Sequence, residues 1–214
     1  MSPPDPTKEE LLSMPAGFDT TSLTITGLRG DPTRHMDRRQ LIDALRNLEP
    51  PPKDEGRVAL LVARGTEGER HVLDEAVLSA EGGMPGDRWA HQDAYGTDYQ
   101  VATTNHAVAA LIANGQPLEL HGDNLFLDLD LSLVNLPVGT ELVVGQARMR
   151  VTPQAHNGCK KWVQRFGLAA MQLNMAPEWR AHRLRGIYLR VVTSGLVRAG
   201  DPVVVQARPA PDVG

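Results

Sequence analysis

Residues 136–152 read LPVGTELVVGQARMRVT, and this stretch limits the fold more than any other. Leu142 and Val144 alternate before Gly145-Gln146, and Ala147, Met149 and Val151 alternate after it. A period of two on both sides of a glycine turn is the mark of a β-hairpin. The theme recurs along the chain. RVALLVAR (57–64) is apolar and β-branched, and HVLDEAVLS (71–79) can pair with it across GTEGER. In GIYLRVVTSGLVRAGDPVVVQA (186–207), Ile187, Leu189 and Val191 share one face. Gly195 and Gly200-Asp201 mark turns there, and Val203 and Val205 close the series. Aromatic residues are only 4% of the chain, so Val, Leu, Ala, Ile and Met must build the core. The 20 glycines and 16 prolines favour many turns over long helices.

Helical periodicity interrupts the strands in three places. In MDRRQLIDALRNLEPPP (36–52), Asp37 is placed to cap, and Leu41, Ile42, Leu45 and Leu48 recur at helical spacing before Pro50, Pro51 and Pro52 end the run. NHAVAALIAN (105–114) is capped by Thr104 or Asn105 and ends at Gly115, and QRFGLAAMQLN (164–174) reads as a third helix. No repeat of 20–50 residues is present. These patterns predict a mostly β chain with helical excursions: a closed or nearly closed β-barrel with an N-terminal helical extension. The boundaries read as an extension with one clear helix over 1–55, a barrel domain over 56–208 and an unstructured tail over 209–214.

A net charge of −4 gives no general reason to expect nucleic acid as a partner, and no apolar run approaches the length of a membrane span. The N-terminal MSPPDPTKEELLSMP lacks a basic segment followed by an apolar core, so it does not read as a secretory leader. One cysteine allows no internal disulfide, and a reducing cytoplasm is the expected location. The charge is distributed unevenly. Residues 156–190 hold seven cations against Glu178, a net +6, and leave the rest of the chain at −10. Such a segment points to an anion or to a solvated helix face. It has no run of aromatics on which bases could stack.

Cys159, the lone cysteine, lies inside that segment in AHNGCKKW (155–162). A buried structural thiol is one reading. Against it, Gly158 permits close backbone approach, and Lys160 and Lys161 are cations of the kind that favour a thiolate. His156, three residues before, has a spacing that could share a metal, but zinc needs three or four protein ligands and the other six histidines form no tight motif. A single thiolate suits a metal whose remaining ligands come from an organic cofactor. Two glycine-acid stretches, GMPGDRW (83–89) and LHGDNLFLDLDLS (120–132), read as turns or as parts of a site. Neither is a P-loop or a calcium loop.

Taken in order, GMPGDRW, HGDNLFLD, LPVGTELVVGQARMRVT, HNGCKKW, RLRGIYLRVV and GLVRAGDPVVV resemble the MOSC domain, the module named for the C-terminal part of molybdenum cofactor sulfurases. The resemblance runs over about residues 57–206 and is nearest to bacterial stand-alone MOSC proteins. It implies a MOSC-type β-barrel associated with the molybdenum cofactor (molybdopterin). Cys159 would be the metal ligand and catalytic residue, or the carrier of a persulfide. Asn124, His156, Lys160, Lys161 and Arg185 would bind the cofactor, with Thr104 and Asn105 as further candidates. Two departures stand out. Gly158-Cys159 replaces the Pro-Cys of many relatives, and Gly122-Asp123-Asn124 replaces the Arg-Pro-Asn of amidoxime-reducing enzymes.

The activity implied is a molybdenum-dependent oxidoreductase reducing N-hydroxylated compounds. The alternatives are a sulfur carrier using a Cys159 persulfide and a non-catalytic anion-binding module. The implied partners are a small-molecule substrate and an external electron-donor protein, because the chain has no ferredoxin-type cysteine set. No nucleic acid and no membrane enter this reading.

Overall fold

The computed structural model describes residues 29–66, 68–92 and 96–210. The expectations for residues 1–28 and for 211–214 lie outside the described residues.

The first helix, α1 (Arg38–Arg46), forms where the leucine spacing predicts it. Asp37 accepts from Gln40 N while the Gln40 side chain bonds the Asp37 backbone, a reciprocal capping box. The helix stops at Asn47, before the prolines. Leu41 is buried among the other helices, and Ile42 and Leu45 pack on the same cluster.

The strands follow as β1 (Glu55–Arg64), β2 (Arg70–Leu73), β3 (Glu75–Leu78), β4 (Val101–Asn105), β5 (Leu125–Asp128), β6 (Glu141–Val144), β7 (Ala147–Ala155), β8 (Ile187–Thr193), β9 (Gly195–Arg198) and β10 (Pro202–Ala207). Seven of them make a closed barrel in the order β1-β10-β6-β7-β8-β4-β5 and back to β1. Only β4 and β5 run parallel, and α2 (His106–Ala113) leaves β4 in the crossover between them. Closure removes the open edges that a flat sheet would expose. The hairpin register is Leu142 to Met149 and Val144 to Ala147. Their side chains, with Val151, Ile187, Leu189, Val191 and Val203, fill the interior.

HVLDEAVLS behaves differently from the expected single strand. Its first part pairs with β1, Val62 opposite Val72, but β3 leaves to pair with β9. Farther along the same edge β1 already bonds β10, and Val58 exchanges hydrogen bonds with Asp201 and Gly200. No edge is left for β3. Gly195, expected as a turn, therefore starts β9 opposite Leu78.

The helix after the cysteine also differs. It starts at Lys160, with Cys159 at its N-cap, as α3 (Lys160–Phe166). Gly167, at φ 88°, breaks it from α4 (Leu168–Met175), and the short α5 (Pro177–Arg180) follows. A second core of Leu41, Ile112, Trp162, Phe166, Met171 and Leu184 joins these helices.

Candidate anion and thiol site

The chain between β7 and α3 is aimed by an irregularity. Val151 faces Leu189 and Ala155 faces Ile187, so β7 carries extra residues there, with Pro153 among them. Proline cannot donate to a ladder and is tolerated at such a bulge. The bend delivers His156 into the interior and Cys159 to a half-buried position. A side chain on Gly158 would run into Met171 Cε and come within 3.2 Å of Trp162. This close approach is the physical reason for glycine before the cysteine.

Around the thiol the fold gathers arginines from separate elements. Arg165 lies on α3, near enough to Cys159 for their charges to interact. Arg64 ends β1, Arg70 begins β2, Arg88 starts a 3-10 turn (Arg88–His91) and Arg185 precedes β8. Burial pulls the Arg70 guanidinium down to about 10 from its usual 12.5, and the neighbouring charges of Arg165, Arg88 and Arg64 add to the effect. Like charges are crowded here, which the fold tolerates best if an anion joins them.

Two buried carboxylates sit among these cations. Asp87 accepts from Arg64 N, Nε and Nη2, from Trp89 N and from Asn124 Nδ2. Burial works against its charge, but Arg64 outweighs it and the carboxyl is held below its usual range. Asp123 has one oxygen on Arg185 Nη1, while Oδ1 makes no hydrogen bond and lies 3.4 Å from His156 Nε2. Burial pushes this carboxyl up against the pull of Arg185. His156 is kept neutral by burial first and by Arg185 and Arg64 next. It meets Tyr188 edge-on at 4.4 Å, and burial drives that phenol up to about 12. His121 is held down to about 3, chiefly by burial, between Ala109 O on Nε2 and Trp162 Nε1 on Nδ1.

The residues singled out from the sequence separate into groups. Cys159, His156 and Arg185 come together with the cluster. Lys160 and Lys161 occupy the first turn of α3, half-buried, beside the thiol. Asn124 is fully buried, bonded to Ala102 N, Val62 O and Asp87, and ties strands together. Asn105 caps α2 through Val108 N and reaches Leu129 O. Thr104 is buried against Gly186, and its hydroxyl makes no hydrogen bond. Sequence reasoning gave no role to Arg64, Arg70, Asp87, Arg88, Asp123, His121 or Tyr188. Asp87, Arg88 and Asp123 stand in the two glycine-acid motifs, so a signal existed for them. Arg64 and Arg70 are ordinary strand-end residues about 50 positions from the turn they meet, and no local pattern marks them.

A family model for the MOSC domain matches residues 99–204. The chain is a member of the MOSC domain family. Solved structures share the fold of this MOSC protein. A crystal structure titled only "hypothetical protein" is 20% identical, covers 74% of this chain and 71% of its own, and has a TM-score of 0.55. The YuaD protein from Bacillus subtilis is 18% identical, covers 72% of this chain and 97% of its own, with a TM-score of 0.54. YiiM from Geobacillus stearothermophilus is 15% identical, covers 73% and 77%, with a TM-score of 0.52. At these identities the likeness is one of fold. No curated protein sequence matches the chain. No helix among the described residues is long and apolar enough to cross a membrane.

Proposed function

We propose that this MOSC protein holds the molybdenum cofactor at the Cys159 end of the barrel and reduces N-hydroxylated compounds there. One observation carries the reading: a lone half-buried thiol lies near Arg165, a member of a crowded guanidinium cluster whose two carboxylates are already paired. The residues fit such a group. Among the described residues no three His, Cys, Asp or Glu side chains gather to hold a metal. A metal at Cys159 would therefore take its other ligands from a cofactor. The crowding of guanidiniums at Arg70 leaves positive charge for an anionic ligand.

When bound, the cofactor would supply a metal centre that accepts an oxygen atom and is re-reduced by electrons. The protein's own part follows from its residues. Cys159 would be the soft sulfur ligand, with Arg165 near enough for their charges to interact and the two lysines following it in the chain. Arg165, Arg70 and Arg88 supply positive charge for the cofactor's anionic groups. The Tyr188 phenol keeps its proton at neutral pH and can donate it in a hydrogen bond to a substrate oxygen. Electrons come from a separate donor protein, since one cysteine cannot hold an iron–sulfur cluster.

The same half-buried thiol near cations also suits a persulfide carrier. Metal and pterin analysis of the purified full chain separates the readings, together with turnover of an N-hydroxylated compound using a chemical reductant. Stoichiometric molybdenum and pterin with turnover support the reductase. Cyanide-labile sulfur without metal supports the carrier, and the absence of both overturns both.

A further inference from the structure

The loop that carries the thiol also carries a reactive dipeptide. The chain holds two Asn-Gly pairs, Asn114-Gly115 and Asn157-Gly158, and the second stands directly before Cys159. In such a pair the backbone nitrogen of the glycine can attack the asparagine side chain, because no Cβ hinders the approach and the backbone turns freely. A proline at 158 would have no N–H to lose.

The fold sets the two pairs apart. Asn114 ends α2 in the left-handed conformation, φ 47° and ψ 48°, with its N–H on Ala110 O and Leu111 O. Its Nδ2 donates to Arg34 O at 2.9 Å, so side chain and backbone are both held. Asn157 is exposed, and its N–H bonds Ala155 O at 3.1 Å. Neither the Asn157 side chain nor the Gly158 N–H, the two groups that would react, has a hydrogen-bond partner among the described residues. Two residues span at most about 7 Å, so a charge at 157 would act on Cys159 within one screening length.

We propose that Asn157-Gly158 is a site of spontaneous deamidation, which places a negative charge beside Cys159. Gly158 N attacks Asn157 Cγ, and the Cγ–Nδ2 bond breaks. The proton of the Gly158 N–H passes through water to the departing nitrogen, which leaves as ammonia. Water then opens the cyclic imide. Opening at Cγ gives aspartate, and opening at the main-chain carbonyl gives isoaspartate, whose backbone is one carbon longer. The net change is one water taken up and one ammonia released, and no electrons move. Either product carries a carboxylate. Isoaspartate also displaces the backbone next to Gly158, which Met171 and Trp162 already crowd. Any effect on Cys159 as a metal ligand rests on the function proposed above; the reaction itself does not.

The test is mass spectrometry of the full chain, aged in heavy-oxygen water at mildly alkaline pH and digested in ordinary water, so that only events in the folded protein carry the label. Trypsin isolates residues 151–160, in which Asn157 is the one asparagine, and fragmentation of 89–148 reports on Asn114. Conversion at 157 should run about tenfold faster than at 114, where a hydrogen bond and a fixed backbone must first be released. No conversion at 157, or conversion no faster than at 114, overturns the proposal. Asn157→Asp supplies the charge without the reaction. In chain free of molybdenum and pterin, Cys159 is alkylated with anionic iodoacetate and with neutral iodoacetamide, and the ratio of the two rates cancels the thiolate fraction. That ratio should fall about twofold in Asn157→Asp, the Coulomb effect of one charge at this range in water. Aged wild-type protein should show the same fall, and it serves in place of the variant should that misfold. An unchanged ratio, or a thiol that neither reagent reaches, overturns the link to Cys159. A chain that deamidates at 157 but never carries cofactor sinks the function above and leaves this site standing. A cofactor-loaded chain whose Asn157 stays intact after the cofactor is removed does the reverse.

Discussion

Arg64 grips Asp87 through two parallel hydrogen bonds, Nε to Oδ2 and Nη2 to Oδ1, each 2.8 Å long and almost wholly buried. The pair links the end of β1 to the 3-10 turn that carries Arg88, and Asn124 joins it from β5's entrance. Removing one partner of a buried pair leaves an uncompensated charge. Asp87→Ala should therefore cost about 3–5 kcal/mol in urea unfolding. A loss below about 1 kcal/mol would show that water reaches Arg64 freely.

Gly158→Ala should destabilise the fold by about 1–3 kcal/mol, because the new methyl enters space held by Met171 and Trp162. The Met171 end is flexible, so the effect should couple to it. A double-mutant cycle with Met171→Ala should give an interaction energy of at least about 0.5 kcal/mol. Strict additivity contradicts the contact.

Cys159→Ser should leave the melting temperature nearly unchanged, a loss of about 1 kcal/mol or less at a half-buried position. Metal content and turnover with an N-hydroxylated compound should fall to background, since a neutral hydroxyl is a poor replacement for a soft thiolate. Full molybdenum occupancy in the variant would remove Cys159 from the metal site.

Acid should weaken the protein before its carboxylates titrate. His121 is held down to about 3 and His156 well below 6.5, in both cases chiefly by burial and then by Arg185. The unfolded chain protonates both near 6.5, so it binds more protons than the folded state below that pH. Their contribution is complete above pH 6.5 and is lost as pH falls toward 3. Asp123, pushed up by burial, acts in the opposite sense and gains as pH falls. Thermal melts between pH 6.5 and 4.5 should show a falling midpoint, with a shallower slope in His156→Gln. A level or rising wild-type midpoint would mean that these imidazoles are not buried neutral.

The extension before β1 should contribute to stability through α1. Leu41 is 1% exposed and packs among α2, α3 and α4. Leu41→Ala should cost about 2–5 kcal/mol by creating a cavity, measured by denaturant unfolding with an unchanged m-value.

The sequence alone determined the strands whose apolar residues alternate, because a period of two can be buried on one side only as β structure. Leu142, Val144, Ala147, Met149 and Val151 show this, and so do Ile187, Leu189 and Val191. It also determined α1, whose Asp37 cap and leucine spacing are local chemistry. Cys159 was legible because a lone thiol beside two lysines is unusual without any structure. Tertiary structure decided the rest. Whether the barrel closes depends on β10 reaching β1, and that closure sends β3 to β9. Whether a polar side chain is available to a ligand depends on competition from backbone groups distant in sequence. Asn124 and Asn105 are taken by carbonyls and amides of other segments, while Arg64 and Arg70 reach the 119–122 carbonyls from strand ends that carry no motif. Local pattern fixes what a segment prefers to be, but only the closed barrel fixes which charges meet.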